Sequence, residues 1–221
     1  EQVIRETKRS AADALEYRGF LEDELEGLWS TRGEDYFLRE RPEDIAWHTE
    51  AIADHNHERG ALVLVRQASD SPIGNATQIF VHTLDEPSTF ARICAALETL
   101  DLTIHDARIY SDTDGSTLDT FFVLKSDGAS LDSHPDTFLE IEARIRQHLS
   151  ESELKPVSRH TPRTVKAFTI PTTVQFSQDE TSHLTTLEVT TADRPGLLAR
   201  LGSVLARYDV SVQGAKIQTL G

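Results

Sequence analysis

The sequence has one cysteine and no methionine in 221 residues, only 7% aromatic residues, and 22 basic residues against 37 acidic ones. Each scarcity excludes something. A lone cysteine, Cys94, cannot form a disulfide within the chain, so a reducing, cytoplasmic setting is expected. Cys94 occupies an apolar helical position and reads as a small core side chain rather than a reactive thiol. A net charge of −15 repels a phosphate backbone or an anionic leaflet, which argues against nucleic acid and membrane surfaces as partners. No run of about 18 apolar residues occurs, and the start, EQVIRETKRS, lacks an apolar signal core. Without methionine, Glu1 is not an initiating residue, and the reading expects a piece of a longer chain.

What the sequence does have is an ungapped internal repeat at a spacing of 108 residues. Leu84 to Ser111 lies over Ala192 to Thr219, with Asp85/Asp193, Pro87/Pro195, Ala91/Ala199, Arg92/Arg200, Leu97/Leu205, Asp101/Asp209, Ala107/Ala215 and Ile109/Ile217 identical in register. Solenoid repeats recur at roughly 20 to 50 residues, so this spacing means tandem domains. The division expected is a helical segment at 1–58, a first module at 61–150, a linker at 151–172 and a second, truncated module at 173–221.

Periodicity supplies the elements. Val3, Ile4, Thr7, Ala11, Ala14 and Leu15 fall on one helical face, and Leu21, Leu25, Leu28 and Trp29 form another stripe. Pro42-Glu43-Asp44 opens a further helix carrying Ile45, Trp47, His48 and Ile52. After Gly60 the pattern predicts strands at Ala61–Arg66 and Gln78–Val81, a helix from Ser88 to Leu100, strands at Leu102–Tyr110 and Thr117–Lys125, and a helix from Asp136 to Leu149. The second copy repeats this with strands at Thr173–Phe176 and Leu187–Thr190, a helix at Gly196–Tyr208 and a strand at Val210–Gln218. The order β-α-β-β-α, with one more strand, is the ferredoxin-like βαββαβ arrangement of an α+β fold. The second copy then lacks its middle strand and second helix, and the chain is expected to continue past Gly221, because such a sheet would leave backbone unpaired.

The turn Asp193-Arg194-Pro195-Gly196-Leu197-Leu198 joins a strand to a helix. Asp193 is expected to cap that helix, Pro195 to set the angle of the incoming chain and Gly196 to allow close backbone approach. The amides of a first helical turn suit an anion such as an amino-acid carboxylate. Asp85, Glu86, Pro87 and Ser88 repeat the pattern more weakly, with Ser88 in the glycine position and Thr89 in that of Leu197.

These residues resemble the ACT domain, a small-molecule sensing module whose strand-to-helix loop reads D-x-P-G. The resemblance implies paired modules and an amino-acid effector held between this loop and a neighbour's second strand. Carried over, the loop is Asp193, Arg194, Pro195, Gly196, Leu197 and Leu198, with Asp85, Glu86, Pro87 and Ser88 as a weaker second site. The facing strand residues are His105, Asp106 and Ala107 in the first copy and Gln213, Gly214 and Ala215 in the second.

The segments Glu34–Arg39, Ile45–His48, Ile104–Ile109 and Leu118–Leu124 look like the C-terminal third of the bifunctional PII uridylyltransferase/uridylyl-removing enzyme family. That resemblance implies the glutamine-sensing end of an enzyme that adds UMP to the PII nitrogen-signalling protein in one domain and removes it in another. L-glutamine and PII are the implied partners, and Mg²⁺ belongs to the catalytic domains. No paired aspartates after Gly-Ser and no hydrolase-type His-Asp pair occur here, so the chain is expected to be non-catalytic, without cofactor or metal. His48, His55 and His57 read as solvated histidines on a polar helix end. The alternative is a non-enzymatic ACT-repeat sensor or scaffold. A ferredoxin-like nucleic-acid module is disfavoured by charge and because Phe121 and Phe122 are adjacent and point to opposite faces.

Overall fold

The computed structural model describes residues 1–56, 58, 60–68, 74–152, 171–178 and 184–218. Four helices come first: α1 (Gln2–Glu16), α2 (Glu22–Trp29), α3 (Glu34–Arg39) and α4 (Pro42–Ala53). Pro42 stands in the first turn of α4 with Glu43 and Asp44, and Glu24 reaches back to the Leu21 amide at 2.9 Å to secure the start of α2. The apolar stripes are narrower than their sequence pattern. Ala11, Leu15, Leu25 and Trp29 are buried, whereas Val3, Ala14 and Leu21 are exposed.

The first copy runs β1 (Leu62–Gln67), β2 (Thr77–Leu84), α5 (Thr89–Thr99), β3 (Leu102–Ser111), β4 (Ser116–Lys125) and α6 (Pro135–Ser150). The second runs β5 (Thr173–Gln178), β6 (Thr185–Thr190), α7 (Leu197–Arg207) and β7 (Gly214–Gln218). β7 begins four residues later than its sequence pattern suggests. Its equivalent, β3, is paired along its length by β4, whereas among the described residues β7 pairs only with the Asp106–Tyr110 stretch of β3. Most of the linker lies outside the described residues.

The main sheet has the order β1-β2-β4-β3-β7, and β5-β6 form a separate pair. In the first copy β4 lies between β2 and β3, the ferredoxin-like arrangement. The fourth strand comes from β1, ahead of β2, so the module reads β-β-α-β-β-α rather than βαββαβ. In the second copy β6 and β7 fall in different sheets, and no described strand lies between them.

Alternation along the strands gives the main sheet two buried faces. Val63, Ile79, Val81, Ala107, Ile109, Phe121 and Val123 pack with Ile93, Leu97, Ile141 and Ile145 of α5 and α6. Leu62, Phe80, Tyr110 and Leu118 pack on the opposite face with Leu15, Trp29, Tyr36, Phe37 and Ile45. Phe122 points away from Phe121 into a small cluster with Ala68, Ala76 and Leu124. Cys94 is a buried core side chain whose thiol pKa burial raises.

The two copies meet edge to edge. Across β3 and β7, Ala107 faces Ile217 and Ile109 faces Ala215, with Arg108 opposite Lys216 between them. Since Ala215 and Ile217 are the repeat equivalents of Ala107 and Ile109, the register is reciprocal about Arg108 and Lys216. This is the self-complementary logic of a two-fold dimer, written within one chain. α5 and α7 pack beside this seam. Gly202 lets them approach, since a Cβ there would lie 2.9 Å from the Cα of Ala91.

Candidate functional site

The strand-to-helix loops of the two copies share two backbone hydrogen bonds and differ in conformation at the helix start. Thr89 N donates to Glu86 O at 2.9 Å, and the equivalent Leu197 N donates to Arg194 O at 3.0 Å. Arg92 N donates to Ser88 O and Arg200 N to Gly196 O, both at 3.0 Å. At the far ends of the helices, Asp101 (φ 61°) and Asp209 (φ 54°) both occupy the left-handed region. The difference sits at the N-cap. Gly196 has φ 71° and ψ 11°, a conformation open to glycine, whereas Ser88 has φ −90° and ψ −10°.

That position also corrects the expected role of Asp193. The N-cap of α7 is Gly196, no side chain caps it, and Asp193 is exposed three residues earlier, ahead of the turn that Arg194 O closes. Arg194 is exposed as well, Pro195, Leu197 and Leu198 are half-buried, and Gly196 is buried.

The first copy's loop is fastened from within. Thr89 Oγ1 accepts from Glu86 N and donates to Leu84 O, each at 3.2 Å. Ser88 Oγ accepts from Arg92 Nε at 2.9 Å, and Arg92 Nη1 reaches His148 O at 3.1 Å and also Glu151 O at the end of α6. Leu197 has no hydroxyl to make the Thr89 bonds, and Arg200 is exposed. Within this loop Glu86 is exposed, while Asp85 and Pro87 are half-buried.

The facing-strand candidates lie along the seam. Asp106 and Ala107 pair with Gln218 and Ile217, and Gly214 and Ala215 pair with Tyr110 and Ile109, while Gln213 is exposed just before β7. His105 is the extra residue of a β-bulge, because the β3–β4 register steps between Ile104 and Asp106. The bulge keeps both Ile104 and Ala107 on the α5 face, which strict alternation would forbid.

A polar network against the opposite sheet face has no counterpart in the sequence reading. Arg32 pairs with buried Asp112, buried Glu40 accepts from Arg108 Nη1 at 2.8 Å, and buried Asp44 accepts from Arg41 Nε at 3.0 Å, Gln78 Nε2 at 3.1 Å and Arg66. Burial raises the Glu40 pKa despite Arg108. Burial also pushes Asp44 upward, but hydrogen bonds from Arg41 and Gln78 outweigh it and leave the pKa lowered. These pairs fix α3 and α4 to the strands. They point to no ligand.

His48 corrects another expectation. It is fully buried, stacked on Phe80 with ring centroids 3.7 Å apart, and its Nδ1 lies 3.0 Å from the Tyr36 hydroxyl. Burial lowers its pKa to about 3. His55 bonds the carbonyl of Gly60 at 2.8 Å, and His57 lies outside the described residues. Among the described residues, no group of three His, Cys, Asp or Glu could hold a metal ion, and no helix is long and apolar enough to cross a membrane.

Asp119 is the buried acid on the other face of β4. It accepts a hydrogen bond from Thr117, and burial raises its pKa to about 8, with Asp85 adding to the rise. A cavity of about 270 Å³ opens among Leu100, Asp101, Lys125, Leu131, Thr137 and Ile141, and no candidate effector residue lines it.

Comparison with known proteins covers the whole chain. Residues 1–51 match the family described as uridylyltransferase GlnD fifth domain, and residues 72–140 match the ACT-like domain of plant bHLH transcription factors. The chain is 42% identical to the bifunctional uridylyltransferase/uridylyl-removing enzymes of Ectopseudomonas mendocina and Azotobacter vinelandii, and 41% identical to that of Pseudomonas putida. Each alignment takes in 100% of this chain and 25% of the relative, so the chain spans about a quarter of the length of the curated relatives it matches. No solved structure matches it.

Proposed function

We propose, from the premise that this chain is homologous over its whole length to the bifunctional uridylyltransferase/uridylyl-removing enzymes, that it is the glutamine-sensing regulatory region of such an enzyme. The whole enzyme would uridylylate and deuridylylate the PII nitrogen-regulatory protein in other domains with Mg²⁺, and this region would carry no catalytic site. It would work in the cytoplasm and bind L-glutamine through its ACT modules.

The observation that carries the reading is the left-handed Gly196 at the start of α7, in a module paired reciprocally with its own repeat. In the proposed mode the glutamine carboxylate meets the positive end of α7. The Leu197 amide is already held by Arg194 O, so the amides of Gly196 and Leu198 would receive the anion. Asp193, exposed and free of capping duty, would meet the ammonium group. A ligand that contacts both copies favours their docked arrangement, and that difference in affinity between states is what could bias distant catalytic domains.

The test is the glutamine dependence of uridylylation by the full-length enzyme carrying Gly196→Val. Loss of the glutamine response is expected. A response equal to that of the unmodified enzyme would remove Gly196 from the site.

A further inference from the structure

The helices before β1 are held to the first copy by the Arg32–Asp112, Glu40–Arg108 and Asp44–Arg66 pairs. They also reach the second copy. Arg39, the last residue of α3, donates from Nη2 to the backbone oxygen of Ala215 in β7 at 2.9 Å. Its guanidinium carbon lies 5.2 Å from the ring centroid of Tyr110, whose backbone pairs with Gly214. The next residue, Glu40, holds Arg108, which faces Lys216 at the centre of the seam. The end of α3 therefore touches both strands of the β3–β7 pair.

We propose that Arg39 is a coupling residue, through which the α1–α4 layer senses whether β7 is docked on β3. The position of α3 is set by the first copy, so the guanidinium is oriented before β7 arrives and little side-chain freedom is lost in making the bond. β7 has five residues and pairs with a single described strand, so a charge-assisted hydrogen bond to it adds to a short ladder. If β7 leaves, Arg39 keeps the Tyr110 ring and loses the Ala215 oxygen. The docking of the copies is then felt at the end of α3, on the face of the sheet away from α5 and α7. The inference concerns docking alone and stands whether or not an amino acid binds.

Amide hydrogen exchange of this chain without effector tests it. In Arg39→Ala the amides of β7 should exchange about tenfold faster, while the β2–β4 pairs keep their protection. Arg39→Lys, which retains charge without the planar fork, should fall between. Coupling is reciprocal, so Gly202→Leu, which forces α5 and α7 apart, should speed exchange at the Glu40 amide that closes α3 on Tyr36 O. Unchanged β7 exchange in Arg39→Ala, equal loosening of the β2–β4 pairs, or a Glu40 amide indifferent to the Gly202 wedge would each overturn the proposal.

Discussion

The two copies of the repeat carry matching helices, matching turn hydrogen bonds and a left-handed aspartate at the same place, yet they are built into different surroundings. The first copy has helices on both faces of its sheet, and its loop is tied down by Thr89, Ser88 and Arg92. The second shows a two-stranded β5–β6 pair with Val174 and Phe176 exposed, and a loop in which Gly196 replaces the serine and Leu197 the threonine. The same turn is a fastener in one copy and a left-handed, glycine-capped helix start in the other. A shared sequence pattern sets the local backbone, while the neighbouring side chains decide whether its polar groups are tied internally.

The largest effect is expected at the seam that joins the copies. Gly202→Leu should cost about 3 kcal/mol through overpacking against Ala91 and Phe90 and should abolish exchange protection in β7. Cys94→Gly, the mirror change at the equivalent position of α5, should destabilise the first copy's core and leave the approach of the helices intact.

Two buried groups on opposite faces of the first copy set opposing pH dependences. His48 has a folded pKa of about 3 against 6.5 when free, so the unfolded chain takes up its proton first. Its contribution to stability is complete above pH 6.5 and is lost as pH falls towards 3, at about 1.4 kcal/mol per pH unit. Asp119 has a folded pKa of about 8 against 3.8, so its contribution is complete below pH 3.8 and is lost as pH rises through 8. Between these limits the two slopes oppose each other. Urea titrations should show stability rising more steeply with pH between 4 and 6.5 in Asp119→Asn than in the unmodified chain.

At the loops the expected effects are smaller. Gly196→Ala should lose about 1 kcal/mol, because a side chain is forced into the left-handed region. Ser88→Gly, where the backbone is right-handed, should change stability by less than about 1 kcal/mol. Equal losses at the two positions in thermal unfolding would mean that the loops are not different.

Much of this was legible because the repeat registers two chemically distinct sequences against each other. The described strands and helices followed from alternation and spacing, apart from the later start of β7. The network on the far face of the sheet was not legible. Nothing local to Arg66, Gln78 or Arg108 shows what covers these strand residues; α3 and α4 do, and they supply Asp44 and Glu40. His48 was misread for the same reason, since nothing local shows that Phe80 lies over its ring. The cue available was a helix bearing Asp44 and His48 beside Ile45 and Ile52, apolar and charged residues on one face. The cap at Gly196 was missed because D-x-P-G places a good capping side chain three residues too early.

Under the proposed function the second copy's loop holds the effector and the first copy's loop, fastened from within, does not. Calorimetric titration of the chain with L-glutamine tests it most directly. One equivalent bound per chain is expected, lost in Gly196→Val and retained in Ser88→Val. Two equivalents, or binding that survives Gly196→Val, would contradict it.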